Sequence, residues 1–274
     1  MKNVKQVLTI AGSDSGGGAG IQADLKTFQE RKVFGMSIIV AVTAQNTRGV
    51  QGSYPLPLEA VQAQFDSIFS DFDVSAMKTG MLVGSSYIQL IAAEIQKRPE
   101  IPYILDPVMI AKGGSALMED NAISDLIKYL VPLATLVTPN IPEAERIADV
   151  SIKTKEDMVK AAKIIQSQGA KNVLLKGGHL EESQSEIASD YLLLENEEDQ
   201  WFENDRVYTE NTHGTGDTLA SCIVAELAKG SEMKEAVALG IDFVNAAISD
   251  GIDVGHGHGP TNHWSYRIKE ERMK

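Results

Sequence analysis

The chain alternates short apolar runs, typical of strands, with longer segments in which apolar residues recur at helical spacing. Residues 4–10 (VKQVLTI) predict a first strand, a loop rich in glycine and serine follows at 11–18, and a helix is predicted from about Gly20 to Lys32. The same reasoning predicts strands at 37–44, 74–77, 103–105, 135–137 and 172–175, a hairpin of strands at 189–195 and 200–207, and helices at 58–71, 85–97, 121–130, 155–168, 216–229 and 232–250.

This alternation is typical of a mainly parallel sheet that is covered by helices on both faces, so we predict an α/β fold. No linker, repeat or low-complexity tract interrupts the pattern, and residues 1–274 are therefore predicted to form a single domain. Thr154 and Asp157 approximate a capping box at the start of one predicted helix, which supports its assignment.

Glycine and polar residues cluster where the predicted strands end. In an open parallel sheet, ligands bind beyond the carboxyl ends of the strands. These clusters therefore predict one composite site, although loops of this composition also occur as simple turns. The clusters occupy residues 11–20, 45–49, 78–84, 106–114, 138–143, 176–179 and 211–217.

Charge and composition narrow the classes of function. The 274 residues include 25 basic and 38 acidic side chains, a net charge of −13, which argues against a nucleic-acid partner because phosphate backbones require clustered lysine and arginine. No run of 18 apolar residues predicts a membrane span, and the N-terminal segment lacks the apolar region of a signal peptide. The single cysteine, Cys222, precludes an internal disulfide. We therefore predict a cytoplasmic protein.

The segment from Asn211 to Leu219 (NTHGTGDTL) carries the most specific chemical signal, because it directly precedes a predicted helix. Its glycines, Gly214 and Gly216, permit a tight turn, and the first amide groups of the helix lack partners and carry partial positive charge. Such a turn favours an anion, and a phosphoryl group in transfer is anionic. Because Asp217 could handle a proton or a metal there, the segment indicates a kinase that acts on a hydroxyl group.

A simpler interpretation of this segment is a glycine-rich turn with a threonine or aspartate as helix cap. The residues alone leave both interpretations open. Since the protein as a whole is acidic, ATP would have to be held by local devices such as helix ends, a few lysines and Mg²⁺.

Polar side chains at two further strand ends suggest a metal site. Asp106 precedes Pro107, and Asn140 and Glu143 lie in residues 138–143 (TPNIPE). Carboxylates there could hold Mg²⁺ through water, because Mg²⁺ uses few protein ligands. The alternatives are an aspartate that caps a helix and a glutamate that complements a helix N-terminus, and the residues alone do not favour the metal over these.

Other segments give weaker signals. Lys176 ends an apolar strand, and its long stem could lie on apolar surface while the ammonium reaches a phosphate. Residues 12–20 (GSDSGGGAG) fit neither a dinucleotide fingerprint nor a Walker sequence and are predicted to face the substrate. Cys222 is expected to be an apolar filler rather than a nucleophile. The spacing disfavours a zinc site at His256, His258 and His263.

Many of these segments occur, in this order, in one known family. They are residues 10–28 (IAGSDSGGGAGIQADLKTF), 43–47 (TAQNT), 78–81 (KTGM), 106–109 (DPVM), 138–140 (TPN), 176–179 (KGGH), 211–216 (NTHGTG) and 259–260 (GP). With them the chain resembles the ribokinase superfamily and, within it, the hydroxymethylpyrimidine and phosphomethylpyrimidine kinases of thiamine synthesis. The similarity extends nearly from end to end.

The resemblance implies a ribokinase-like three-layer fold, with ATP as co-substrate and Mg²⁺ as the metal. It implies that Asp217 is the general base, beside an anion hole that includes Gly214 and Gly216. The aminopyrimidine would bind to Gln45 in a pocket shaped by Gly12, Ala19, Met81 and Val108. The nucleotide and metal side would comprise Lys176, Thr212 and Asn140 for ATP, and Asp106 and Glu143 for Mg²⁺.

One position departs from the resemblance. Pyrimidine kinases of this group commonly carry cysteine after the GTG sequence, whereas this chain has Asp217, the usual residue of the wider superfamily. The group also contains pyridoxal and pyridoxine kinases, so a vitamin B6 kinase is the alternative, although Gln45 favours the pyrimidine. A ligand-binding protein without activity is a third possibility, because fold alone does not fix function. The resemblance further implies a small-molecule substrate and a homodimer.

Overall fold

A mostly parallel sheet forms the centre of the computed structural model, which describes residues 4–109, 120–178 and 186–266. In these ranges it has nine strands: β1 (Gln6–Asp14), β2 (Phe34–Asn46), β3 (Gly49–Pro55), β4 (Val74–Thr79), β5 (Tyr103–Leu105), β6 (Leu136–Val137), β7 (Asn172–Leu175), β8 (Ile187–Leu193) and β9 (Asp199–Asp205). Their order is β3-β2-β1-β4-β5-β6-β7-β8-β9. The central pairs are parallel, whereas β3 on one edge and β8 and β9 on the other are antiparallel.

Helices cover both faces of the sheet. They are α1 (Gly20–Glu30), α2 (Leu58–Phe69), α3 (Ser85–Gln96), α4 (Asp120–Asp125), α5 (Ile141–Ala148), α6 (Lys155–Ser167), α7 (Thr215–Lys229) and α8 (Met233–Ser249). Helices α1, α7 and α8 contribute to one hydrophobic cluster and α2 to α6 to the other, so the predicted three-layer α/β fold is confirmed. Among the described residues, no helix combines the length and apolar character needed to cross a membrane.

Alternate side chains of the central strands contribute to the two clusters. In β1, Leu8 and Ile10 belong to the cluster under α2 to α6, and Val7 belongs to the one under α1 and α7. This follows from the strand geometry, in which successive side chains point to opposite faces. Phe28 of α1 and Ile223 of α7 are fully buried in the second cluster. The two helices that begin at the glycine-rich segments are therefore anchored to the same face.

The strand prediction was wrong near the N-terminal half of the sheet. Residues 11–14, predicted as loop, continue β1, because the strand pairs with β2 as far as Asp14 opposite Thr43. Strand β3 was not predicted. Its sequence, GVQGSYP, contains two glycines and a proline, which are poor strand formers, and it forms as the antiparallel edge partner of β2.

Helix α5 was also not predicted, because two prolines obscure its pattern. Pro142 lies in the first helical turn, where its missing N–H group has no helical partner to lose. The side chain of Asn140 caps this helix, and the predicted capping box of Thr154 and Asp157 is confirmed at the start of α6. The predicted helix at 121–130 is α4 followed by a π-helical turn at Leu126–Leu130.

The C-terminal segment after α8 packs against the turn before α7. Residues His213 and Pro260 form a parallel bridge, and the amide of Thr261 donates to the carbonyl of His213 (3.3 Å). His263 is buried, and its Nε2 lies 3.1 Å from the hydroxyl of Thr218 in the first turn of α7. Burial, with a smaller effect of Lys26, lowers the pKa of His263 to about 4. The folded protein therefore favours the neutral imidazole.

This burial predicts a specific pH dependence of stability. The pKa of His263 is lower in the folded chain than in the unfolded chain. The contribution of the neutral imidazole to the free energy of unfolding is therefore complete above pH 6.5 and is lost as the pH falls towards 4. We expect His263→Gln to remove up to about 3 kcal/mol of this acid sensitivity. Urea unfolding between pH 7 and 4 measures it, with the exposed His256→Gln as control. Parallel pH dependence in the wild type and His263→Gln would contradict the prediction.

Candidate active site

The turn before α7, residues 211–217, is built around Gly214 and is called the anion turn here. Gly214 is the N-cap of α7 and has a left-handed backbone conformation (φ = 83°). A side chain at this position would collide with the backbone carbonyl of Gly18, so the turn requires glycine on two grounds. The hydroxyl of Thr215 donates to the carbonyl of Thr212 (2.7 Å) and closes the turn. The amides of the first turn of α7 lie at the positive end of the helix dipole.

Two charged side chains meet the start of α7 at Gly216. A Cβ built on this glycine would lie 3.3 Å from Asp106 Oδ2 and 3.5 Å from Lys176 Nζ. Lys176 Nζ is in turn 3.2 Å from Asp106 Oδ1, which also accepts a hydrogen bond from the Thr138 hydroxyl (3.1 Å). The ends of β5, β6 and β7 thus converge on the anion turn, as expected for the carboxyl edge of a parallel sheet.

Lys176 remains charged in this position. Burial lowers the pKa of its ammonium, but the carboxylates of Asp106 and Glu143 outweigh burial, so the pKa lies above its ordinary value. The side chain keeps 18% of its surface exposed. It can therefore present a cation to the space in front of α7.

Glu143 takes part in a helix cap beside this group. The Asn140 side chain accepts from the Glu143 amide (2.9 Å), and Glu143 Oε2 accepts from the Asn140 amide (2.8 Å). The helix-terminal interpretation considered for Glu143 is thus realised, and the same geometry holds its carboxylate near Lys176. Burial raises the pKa of Glu143 to about 7, with Lys176 opposing the rise and Asp106 adding to it.

Asp217 lies in the first turn of α7, with 14% of its side chain exposed. Its Oδ2 accepts a hydrogen bond from the amide of Gly20 (3.1 Å), and its Oδ1 is 3.3 Å from Lys78 Nζ. A Cβ on Gly80 would lie 3.6 Å from Asp217 Oδ1. Contacts from α1 and β4 therefore hold the carboxylate, which does not face bulk solvent.

Most of the predicted substrate residues lie in or beside the glycine loop, residues 14–20. A Cβ on Gly12 would collide with the end of the Met81 side chain, so these two residues share one wall. Ala19 Cα lies 3.3 Å from the Cβ position of Gly214, which brings it to the anion turn. Val108 instead adjoins the charged group of Asp106 and Lys176, because its amide donates to the Asp106 carbonyl (2.9 Å).

Gln45 reaches the same region from the end of β2. Its side-chain amide lies within 3.2 Å of His213 Nε2, and His213 belongs to the anion turn. Hydrogen bonds, glycine contacts and backbone neighbours therefore connect all the residues that sequence analysis selected. They form one side around Gln45 and Gly12 and a charged side around Lys176 and Asp106.

Sequence analysis gave no role to four polar residues of this region: Asp14, Asp24, Lys78 and His213. Lys78 Nζ is 2.6 Å from Asp24 Oδ1, and both side chains are completely buried. His213 Nε2 is 2.9 Å from Asp14 Oδ2. All four lie inside the segments that carry the resemblance. The sequence signal that could have indicated Lys78 is a charged side chain within an otherwise apolar strand.

The remaining cysteine and histidines lie in different environments. Cys222 is completely buried in α7, and burial raises the pKa of its thiol to about 12, which fits the predicted apolar filler. His256 and His258 are exposed, whereas His263 is buried.

Comparisons with known proteins identify the family of the chain. A family model described as phosphomethylpyrimidine kinase matches residues 14–262. The hydroxymethylpyrimidine/phosphomethylpyrimidine kinase of Haemophilus influenzae is 52% identical over 97% of this chain and 99% of its own length. A thiamine biosynthesis bifunctional protein of Geobacter sulfurreducens is 48% identical over 94% of this chain, which spans 52% of that longer relative.

Among solved structures, the ADP complex of Bacillus subtilis pyridoxal kinase superposes with a TM-score of 0.89. It is 38% identical and covers 97% of this chain and 100% of its own. The expected phosphotransferase class is confirmed by these matches, since the relatives are kinases. The resemblance found in the sequence is confirmed with it, and the chain belongs to the phosphomethylpyrimidine kinase family.

Proposed function

We propose that this protein is an ATP-dependent kinase of thiamine biosynthesis that phosphorylates 4-amino-5-hydroxymethyl-2-methylpyrimidine and then converts the monophosphate to the diphosphate. The observation that carries the proposal is the convergence of the α7 N-terminus, Lys176 and Asp106, with Asp217 on the adjacent helical position. Phosphoryl transfer depends on positioning and on charge stabilisation, which these groups can supply. The names of the two enzyme relatives support the pyrimidine substrate and the pathway.

ATP is proposed to bind with its terminal phosphate at the anion turn. Lys176 adds its charge to the helix end, since its Nζ lies 3.5 Å from the Cβ position of Gly216. Thr212 closes the turn through its carbonyl, and Asn140 pairs with Lys176 in a parallel bridge. The ADP bound to the structurally similar pyridoxal kinase supports ATP as the phosphoryl donor.

Asp106 and Glu143 fit a role as holders of Mg²⁺. Burial and the neighbouring Asp106 raise the pKa of Glu143 to about 7, and a divalent cation would relieve this repulsion between carboxylates. Asp106 contacts Thr138 and Lys176 through Oδ1, while Oδ2 is the oxygen nearest Gly216. Few protein ligands suffice, because Mg²⁺ retains several waters. When bound, the ion would supply charge neutralisation for the phosphate oxygens.

In the first reaction Asp217 is proposed to accept the proton of the hydroxymethyl group as its oxygen attacks the γ-phosphorus. The new oxygen–phosphorus bond forms, the bond to the bridging oxygen between the β- and γ-phosphates breaks, and ADP leaves. Gly20 and Lys78 hold the carboxylate in position. In the second reaction the attacking phosphate oxygen is already ionised near neutral pH, so a base contributes less.

The substrate ring is proposed to lie between Gln45 and the wall formed by Gly12 and Met81, with Ala19 and Val108 completing the pocket. The amide of Gln45 can pair with an aminopyrimidine edge, because it carries a donor and an acceptor side by side. The contact of Gly12 with Met81 restricts the pocket, since any larger residue at 12 would displace the methionine.

The alternative function is that of a vitamin B6 kinase, and the similarity to a pyridoxal kinase supports this alternative. Product analysis by mass after incubation with ATP, Mg²⁺ and each alcohol separates the two. We expect mono- and diphosphate products from the pyrimidine and a lower kcat/KM for pyridoxine. A protein that releases no ADP with any alcohol would instead be a ligand-binding protein.

We further propose a single domain over residues 1–274 and a cytoplasmic homodimer. The strands that lead to the site residues belong to one continuous sheet, which supports the single domain. The edge strand β3 carries an exposed Tyr54 (64%), which is compatible with a contact between copies. Sedimentation of the full chain tests the dimer.

The general base can be tested by Asp217→Asn. We expect the first phosphorylation to slow by about 10²–10⁴-fold, the usual contribution of a base. The second phosphorylation should slow far less, because its nucleophile needs no deprotonation. Single-turnover assays on each substrate measure both rates, and Asp242→Asn on the exposed side of α8 is the charge-matched control. Equal losses in the two reactions would contradict this division.

The anion turn can be tested by replacing the glycines at the two ends of α7. Gly214 and Gly230 both have left-handed backbones (φ = 83° and 95°), so the backbone conformation alone should cost alanine roughly 1 kcal/mol of stability at either position. Nothing lies within 4 Å of a Cβ on Gly230, whereas one on Gly214 meets the Gly18 carbonyl. We therefore expect only Gly214→Ala to lose activity beyond its stability loss, measured by kcat and urea unfolding. An active Gly214→Ala enzyme would count against the proposed site.

A further inference from the structure

The side chain of His213 joins three segments of the site. Its Nε2 lies 2.9 Å from Asp14 Oδ2 and 3.2 Å from the nearer end of the Gln45 side-chain amide. A Cβ on Gly18 would lie 3.4 Å from the same nitrogen. Only 14% of the His213 side chain is exposed. The glycine loop, the end of β2 and the anion turn therefore meet at this imidazole.

Asp14 determines where the imidazole carries its proton. One carboxylate oxygen accepts from the amides of Gly18 (3.0 Å) and Ala19 (2.9 Å), and the other accepts from Gly16 (2.8 Å). Burial raises the pKa of Asp14, but the hydrogen bonds of His213 and Gly16 outweigh burial, so the pKa lies below its ordinary value. An ionised carboxylate only accepts hydrogen bonds. Nε2 of His213 must therefore carry a hydrogen and donate it to Asp14.

This proton fixes the orientation of the Gln45 amide. The N–H of His213 repels a second N–H donor, so the oxygen of the amide must be the end that faces His213, where it shares the Nε2 hydrogen with Asp14. The structure places the amide nitrogen towards His213 and the oxygen towards Thr43, but the two ends of an amide exchange by a 180° rotation and are assigned from their partners. The far end lies 3.1 Å from the Thr43 hydroxyl, which donates its one hydrogen to the Ser13 carbonyl (2.8 Å) and so must accept from the amide. Both partners therefore favour the rotated amide, with its nitrogen beside Thr43.

The backbone of Gln45 is held as well. The hydroxyl of Ser15 accepts from the Gln45 amide (2.9 Å) and donates to the Gln45 carbonyl (2.8 Å). The side chain thus starts from a fixed point and ends between two partners of opposite character. Among the described residues, one N–H of its amide has no partner in this network, so it can donate to a ligand.

We propose that His213, held by Asp14, is a specificity-determining positioning residue that fixes which end of the Gln45 amide meets each side of the substrate ring. The inference rests on the proposed function, in which Gln45 contacts the substrate. The complementary ligand edge has a ring nitrogen that accepts beside an amino group that donates, as in a 4-aminopyrimidine. The corresponding 4-oxopyrimidine presents a ring N–H beside a carbonyl. Its ring N–H would then face the N–H of the Gln45 amide, and two donors do not bond.

The test is a comparison of two alcohols, 4-amino-5-hydroxymethyl-2-methylpyrimidine and its 4-oxo analogue. We expect the wild type to prefer the amino compound by at least roughly tenfold in kcat/KM, since unpaired polar groups reject a mismatched substrate. In His213→Phe the amide keeps only one of its two orienting partners, so this ratio should fall, even if kcat decreases for both alcohols. In a Gln45→Leu background the same change should leave the ratio unaltered.

Matched variants distinguish a loss of Gln45 orientation from a general disruption of the structure. His213→Gln keeps an N–H donor near Nε2 and should retain most of the preference, and the exposed His256→Phe should retain all of it. If His213→Phe does not fold, Thr43→Val removes the partner at the other end of the amide and should lower the ratio in the same way.

The outcomes distinguish the inference from the proposed function. A preference that survives in His213→Phe, or in Thr43→Val where His213→Phe does not fold, but is lost in Gln45→Leu overturns the role of His213 and leaves the kinase assignment intact. A wild-type protein that phosphorylates neither alcohol removes the proposed function, and the inference falls with it.

Discussion

A buried ammonium group, that of Lys78, connects the elements on which the candidate site depends. Its side chain on β4 is completely buried, and its Nζ lies 2.6 Å from Asp24 of α1 and 3.3 Å from Asp217 of α7. Asp24 also accepts hydrogen bonds from the hydroxyls of Thr9 in β1 (2.5 Å) and Ser221 in α7 (2.6 Å). Dehydrating such charges is costly and is offset only while these contacts persist. Strand β4 and helices α1 and α7 are therefore held in one arrangement.

The charges of Lys78, Asp24 and Asp217 also determine which of these side chains can act on a ligand. Burial raises the pKa of Asp24 to about 6, with Lys78 opposing the rise and Asp217 adding to it. Burial alone would lower the pKa of Lys78, but Asp24 and Asp217 raise it above the ordinary value. Lys78 thus remains a cation, and it faces the carboxyl groups of Asp24 and Asp217. Of these three side chains Asp217 alone has exposed surface, 14%, so it is the member that can act on a ligand.

Local sequence patterns predicted the parts of the molecule that local physics controls. Strands β5 and β7 were predicted at their observed bounds because buried parallel strands are apolar runs. Strand β3 was missed because its backbone pairing with β2, not its side chains, stabilises it. Sequence motifs indicated Gly214 and Lys176, whereas Lys78 received no role. Its partners lie 54 and 139 positions away in the sequence, and no local pattern records such pairings.

The two halves of the site share a wall because two glycines touch. The backbone of Gly214 approaches the Gly18 carbonyl more closely than any side chain would permit, so the anion turn rests directly on the glycine loop. Asp14 binds the amide of Gly18 and the imidazole of His213, which adds a polar contact across the same junction. A displacement of the anion turn must therefore move the glycine loop. Under the proposed function, phosphoryl donor and acceptor would be positioned against this common backbone, which favours the in-line geometry that transfer requires.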